Sequence, residues 1–397
     1  MRYAKKNNVN LHNLAENFEV RMNLPTFVPN TTFMTVKELC KIIETEAPLS
    51  YQEHYDNSGL QTGYPEMEVT GVLITIDVTE ETVKEAIQKG CNFILTHHPL
   101  IFGGIKNLTG NNMVQRCVIQ AIQNNVAVYA CHTNLDKMKN GVSARMAKKL
   151  NLQNCQILSP EKNRLLKLVT FVPGQYAESV RQALFMAGSG TIGDYDYCSF
   201  NSQGEGTFRA AEGTNPYVGE IGKIHVEPEI RIEVILKKEL KNQVISALLE
   251  SHPYEEPAFD LYELENSFQG AGLGIIGELE QPEDEFAFLM KIKKTFDAKC
   301  IRHTALLNKK IRKVALCGGS GSEFLSTAIA QKADIYISAD FKYHQFFEAE
   351  KRIVIADIGH FESEQFTKEI FFEILSKKTP TFAIHFSDYN TNPINYL

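Results

Sequence analysis

Much that would place a sequence in a common class is missing from this one. No apolar run reaches the ~18 residues of a membrane span, so no membrane partner is expected. There is no basic excess: 41 Lys+Arg stand against 48 Asp+Glu, a net charge of −7. That excludes the electrostatic footprint of a general nucleic-acid or membrane-surface binder. None of the eight cysteines forms a CxxC pair, so neither a Cys-rich zinc site nor a disulfide framework is supported. The opening MRYAKKNNVNLHNLAENFEV has no apolar h-region. A secretory signal is therefore not expected, and a cytoplasmic protein is. Low-complexity segments are absent too. What remains is ordinary globular material, 43 % hydrophobic and 22 % charged over 397 residues, enough for two or three domains.

Residues 1–33 are polar, broken by Pro25 and Pro29, and read as an N-terminal extension of disordered character. From Met34 the pattern is regular. Thr35 with Glu38 makes a capping box ahead of apolar Val36, Leu39, Ile42 and Ile43 at helical spacing. Then VTGVLITIDVT, NFILT and VAVYACHT read as strands, separated by the helical EETVKEAIQKG and NMVQRCVIQAIQNN. The tail repeats this grammar through KVALCGGSG, DIYISAD, RIVIADIG and TFAIHFS. Alternation at this spacing predicts an α/β fold with a mostly parallel sheet flanked by helices. Between the two blocks, residues 165–265 give two strand–helix units with further strands. That predicts an inserted ferredoxin-like α+β domain. The outer domain is thus split, 34–160 and 270–397.

Three clusters carry candidate chemistry. His97 and His98 follow NFILT, where a parallel sheet collects ligand-binding groups. Neighbouring strand side chains point to opposite faces, so the pair converges only if the backbone turns. An isolated His-His pair is more often one core and one surface histidine. His132 and Asp136 follow VAVYAC; Asp136 is suited to ligate a metal and His132 to ligate or orient, or the turn simply caps a helix. His360 and Glu364 follow RIVIA four residues apart, on one face of a helix start, whereas Glu362 reads as a solvent or capping group. Taken as strand ends of one sheet, these give His97, His98, Asp136, His360 and Glu364. Five ligands exceed the three of a mononuclear catalytic zinc and suit two ions ~3.5–4 Å apart. N/O donors fit Zn, Fe, Mn or Co. Lesser candidates are Gly318–Ser322, as an anion-binding or a tight structural turn, and Asp340 and His344 at another strand end. His54, Asp56 and Asn57 also qualify as lining or turn groups, and His252 as a packing residue.

In order along the chain, YDNSGLQTG, ITIDVTEETVKEAI, FILTHHPLIF, CHTNLD, ALCGGSGSEFL, ADIYISADFKYH and IADIGHFESE resemble the GTP cyclohydrolase 1 type 2 homologue family, the NGG-interacting-factor-like proteins. The likeness runs from Met34 to the C-terminus, with HPYEEPAFDLY resembling the PII/CutA-like insert of the long bacterial members. It departs at Tyr55, where many members carry Trp. The resemblance implies a dinuclear centre on the five ligands, with Glu364 bridging, and a toroidal homohexamer with internal sites. It implies hydrolytic opening of the guanine imidazole ring of GTP, or action on a similar small molecule, with His132 or His344 as proton shuttle or supporting group. Lys106, Lys342 and Arg302 are phosphate candidates by type alone. Two other classes compete: a metal-delivery or regulatory protein, and an interaction scaffold with structural metals. An open coordination position favours the hydrolase and a closed shell the scaffold.

Overall fold

The computed structural model describes residues 34–378 and 382–397; the extension expected over 1–33 lies outside the described residues. Thr35 caps the helix Val36–Glu46 as its sequence dictates, its own N–H donating to Glu38 Oε2 at 2.8 Å. The apolar stripe of this helix meets Ile370, Phe371 and Leu375 of the helix Thr367–Lys378 and one face of a five-stranded sheet. Thr79 caps Glu80–Gln88 in the same way, and Gly90 leaves that helix at φ +70°.

The five-stranded sheet runs Gly59–Thr62, Ala127–Ala130, Phe93–Thr96, Gly71–Thr75, Ala383–Phe386. All neighbours are parallel except the Gly59–Thr62 edge. A second, six-stranded sheet runs Arg302–His303, Val354–Asp357, Ile335–Ala339, Lys310–Ser320, Phe268–Asp284, Gln153–Glu161. Its middle three strands are parallel and the others antiparallel. The expectation of one mostly parallel sheet is therefore corrected to two mixed ones. The strand ends bearing His98 and His360 belong to different sheets. Phe268–Asp284 carries Gly270, Gly272, Gly274 and Gly277, which weaken the strand signal in its sequence, yet it forms the antiparallel spine of the second sheet.

The halves of the chain interlock. Ala383–Phe386, from the C-terminal half, completes the first sheet beside Gly71–Thr75. In exchange, the helix Val142–Lys149 sends Met146 and Ala147 into the core of the second sheet. Arg145 and Lys149 on its outer side pair with Glu369 and Glu373. This exchange fixes the two sheets against each other and brings their strand ends to one cleft.

A third sheet lies wholly within residues 165–264. Its strands are Leu165–Pro173, Ser199–Arg209, Ile224–Lys237 and Phe259–Leu264, with helices Ala177–Met186 and Lys241–Ser251 after the first and third. The pairing is antiparallel throughout, in the order second, third, first, fourth. Leu168, Val180, Leu184, Val234 and Leu248 form its own apolar core. Among the described residues no helix is long and apolar enough to cross a membrane.

Candidate metal centre

Four imidazoles and two carboxylates meet between the two larger sheets. His97 and His98 do converge: their ring centroids are 4.9 Å apart. The turn that permits this is held by His98 N–H donating to Ile76 O and Thr96 Oγ1 donating to the same carbonyl. His132 stands at the next strand end, its ring 5.3 Å from His97 and 5.4 Å from His98. His360 reaches across from the second sheet.

Each imidazole is fixed through Nδ1. His97 Nδ1 lies 3.0 Å from Cys131 O, His98 Nδ1 2.7 Å from Asp77, His132 Nδ1 2.9 Å from Asp56, and His360 Nδ1 2.6 Å from Asp340. An Nδ1–H donated to an oxygen leaves Nε2 as the free donor atom, the arrangement that orients metal-binding histidines. Asp77 was not a candidate from sequence, although the signal was present: it stands just past the strand Gly71–Thr75, next in the sheet to Phe93–Thr96.

Three of the four Nε2 atoms point to one carboxylate. Glu364 Oε2 is 3.0 Å from His98 Nε2 and 3.1 Å from His360 Nε2, while its Oε1 is 3.6 Å from His97 Nε2. Asp136 Oδ1 lies 3.7 Å from His97 Nε2. Donors about 2.0–2.2 Å from a shared tetrahedral ion stand about 3.4 Å from one another, so these separations suit ion ligation. His97 Nε2 and Asp136 Oδ1 are also buried with no hydrogen-bond partner among the described residues, and Glu364 Oε2 has only the two imidazole nitrogens beside it. Orphaned buried polar atoms are costly, and a cation between them removes that cost. Two overlapping groups have the spacing to hold a metal: His97, His98 and His132, and His98, His360 and Glu364.

The electrostatics agree. Burial alone would lower the imidazoles, but nearby carboxylates outweigh it. Asp77 and Glu364 push His98 up to about 10, Glu364 and Asp340 push His360 up to about 11, and Glu364 with Asp136 raises His97. Burial opposes ionisation of Glu364, yet His97 and His360 hold it well below the usual carboxylate range. Burial pushes Asp136 up. The site is built for more positive charge than its side chains supply.

Glycine chemistry makes room for it. Gly319 sits at φ +62°, and a Cβ there would stand 2.2 Å from Glu364 Oε1. Of the two readings of the Gly318–Ser322 stretch, this supports the tight turn: Gly319 N–H donates to Ser363 Oγ, which anchors the turn against the Glu364 helix.

A family model, Duf34/NIF3 (NGG1p interacting factor 3), matches residues 34–393. The chain belongs to this family. It is 38 % identical to a GTP cyclohydrolase 1 type 2 homolog of Halalkalibacterium halodurans, over 90 % of this chain and 97 % of that one. It is 32 % identical to the protein of the same name from Bacillus subtilis, over 91 % and 98 %. Among solved structures, a Bacillus cereus protein related to NIF3 superposes with TM-score 0.78 at 37 % identity, covering 92 % of this chain and all of the other. Staphylococcus aureus protein SA1388 gives 0.76 at 29 %, with 92 % and 99 % covered.

In this NIF3-family chain the other candidates fall as follows. His344 is exposed, and its ring contacts are with Tyr343 and Phe347. Asp340 and Asp56 hold His360 and His132. His252 is buried, its Nε2 2.9 Å from Phe171 O. Arg302 is engaged by Asp357 and Phe341 O. Glu362 is not a solvent group: it is buried, and its Oε1 accepts from Asn392 Nδ2 at 3.1 Å because the C-terminal segment folds back over it.

Proposed function

We propose that this protein is a dinuclear metal-dependent hydrolase of small nucleotide-like molecules. The observation that carries the reading is the Glu364 carboxylate, one oxygen toward His97 and the other between His98 and His360. His97 and Asp136 would hold one ion, His98 and His360 the other, with Glu364 shared. His132 stands at ligand distance from His97 and His98 and is suited either to ligate or to move a proton at Nε2. Divalent ions bound here supply Lewis acidity and an activated water.

The chain contributes orientation and shape. Asp77, Asp56 and Asp340 lock the imidazoles so that nothing must rearrange when an ion or substrate arrives. Beside them lies a half-open aromatic shelf. The Phe102 ring is 6.3 Å from His132 and 6.4 Å from Tyr55, and both Phe102 and Tyr55 are more than half exposed. A flat heterocycle stacked on them would have its edge toward the metal ligands. The names of the relatives point to the same class, a guanine nucleotide opened by water.

The same reading includes a cytoplasmic homohexamer with its centres facing an internal cavity. It treats residues 165–265 as a PII/CutA-like insert in a split domain, and the βαββαβ order of that region supports this. The deciding experiment compares metal-loaded and metal-stripped protein against GTP and related heterocycles, following formate release and loss of purine absorbance. Metal-dependent turnover is expected. Full metal occupancy without turnover on any of them would favour the metal-delivery reading.

A further inference from the structure

The region 165–264 contains a cavity of its own, about 790 Å³, remote in sequence from the metal ligands. Its floor is the strand Ser199–Arg209, where Gly204 and Gly206 lie two apart and so on one face. A Cβ on Gly204 would meet nothing within 4 Å, and one on Gly206 would strike Glu229 Oε2 at 2.2 Å. Paired glycines inside a strand weaken it and mark places where something must come close. Here the gap admits the Glu229 carboxylate and leaves open space beside it.

Glu229 is 9 % exposed, and among the described residues its carboxylate accepts one hydrogen bond, from Tyr254 Oη at 2.8 Å. Among the described residues no lysine, arginine or histidine forms an ion pair with it. Arg231, which also lines the cavity, is taken by Glu233 at 2.9 Å. His252 packs on the Tyr254 ring, and burial pulls its imidazole below the ordinary value against the opposing pull of Phe171 O and Glu229. Four carboxylates line the space, Glu205, Glu229, Glu255 and Glu256, against two guanidinium groups, Arg209 and Arg231. The walls are aromatic. Tyr254 is 6.0 Å from Tyr217 and 6.3 Å from Phe208, centroid to centroid. Tyr217 is braced by Tyr176 and Gln175 through its hydroxyl.

A buried carboxylate without a counter-ion is unfavourable, and ring faces beside it attract positive charge. We propose that this cavity binds a small organic cation, its ammonium group seated among Tyr254, Tyr217 and Phe208 with Glu229 as counter-ion. The volume lies within the range of small-molecule sites. The metal centre uses none of these residues, so the site stands whether or not the hydrolase reading does.

The test is ligand-observed NMR and calorimetry on the full chain with three probes: choline, benzyltrimethylammonium and spermidine. The control is 3,3-dimethylbutan-1-ol, the uncharged carbon isostere of choline. Saturable binding of at least one cation is expected, with choline at least about tenfold tighter than its isostere, the scale of a desolvated cation–π contact. Glu229→Gln should weaken binding about tenfold or more, and Tyr254→Ala likewise, while Tyr254→Phe keeps the ring and most of the affinity. Metal content should be unchanged in all three, which separates this site from the metal centre. The proposal is overturned if no probe binds up to about 10 mM, or if Glu229→Gln and the uncharged isostere bind as well as wild type and choline. Binding of inorganic phosphate or benzoate in place of the cations would make Arg209 the recognition group and overturn it too. Cation binding seen only in dissociated protein would mean that a second copy fills the seat, and would overturn the proposal for the assembled protein.

Discussion

His98 and His360, 262 residues apart in the chain and on different sheets, bring their Nε2 atoms within 3.3 Å of each other. At that separation one Nε2–H can donate to the other nitrogen, or both nitrogens can face a common cation. Glu364, 3.0 and 3.1 Å from the pair, supplies the negative charge that holds them there.

Glu364 is therefore the residue whose loss should cost most. Glu364→Ala is expected to abolish binding of both ions, whereas His97→Ala or His360→Ala should leave one partly bound. Metal content by inductively coupled plasma mass spectrometry after equilibrium dialysis distinguishes them. Equal loss across His97, His98, Asp136, His360 and Glu364 variants would count against a shared carboxylate.

Much of this was legible before the fold. The three clusters at strand ends named His97, His98, Asp136, His360 and Glu364, which meet because two sheets, not one, bring their strand ends to the same cleft. The supporting residues were less visible. Asp77 lies in ITIDVT, where an aspartate just ahead of a helix cap reads as a turn residue; only the neighbouring strand shows that it holds His98. The two-sheet arrangement was hidden because the joining strand Phe268–Asp284 is glycine-rich, and its pairing with Gln153–Glu161 spans more than a hundred residues. Burial of Glu362 depends on Asn392, a contact with no local signal.

The groups that orient the ligands should matter nearly as much as the ligands. Asp77→Asn and Asp340→Asn each remove the charge that fixes an imidazole, and each is expected to weaken metal binding by about 10–100-fold with the fold intact. Competition against a chelator of known affinity measures this, with circular dichroism as the control for folding. Wild-type affinity in Asp77→Asn would mean that His98 needs no such partner.

Gly319→Ala puts a methyl where Glu364 Oε1 lies and forces a non-glycine residue to φ +62°. We expect roughly 1–2 kcal/mol of lost stability from the backbone alone, together with loss of metal. Gly103→Ala, whose Cβ meets nothing within 4 Å, is the neutral control. Unchanged metal content in Gly319→Ala would show that the carboxylate is free to move.

Metal binding should release protons. In the metal-free chain His98 is raised to about 10 and His360 to about 11, so both are charged at neutral pH. Each must give up a proton to bind an ion, so apparent affinity rises with pH, up to about tenfold per unit for each proton displaced. Stability of the metal-free protein runs the other way. The raised imidazoles contribute fully below their unfolded value near 6.5, and that contribution is lost as pH climbs through about 10 to about 11. Calorimetry in buffers of different ionisation enthalpy gives the proton count; no release at neutral pH would contradict the assigned charges.

Leu165 and Leu264, the first and last residues of the third sheet in chain order, are paired directly across adjacent antiparallel strands. A short Gly/Ser linker spanning the ~5 Å between them can replace the region, which keeps its own core. The shortened chain should fold and retain metal, losing the contact of Tyr51 with Glu239. A folded variant that no longer binds metal would show that this region completes the centre.

The most direct measurement is anomalous diffraction from crystals of protein purified without added metal, scanned across the Mn, Fe, Co and Zn edges. Two peaks per chain about 3.5–4 Å apart, one beside His97 and Asp136 and one beside His98 and His360 with Glu364 between them, are the expected result. A single peak, or none after soaking with each metal, would contradict a dinuclear centre.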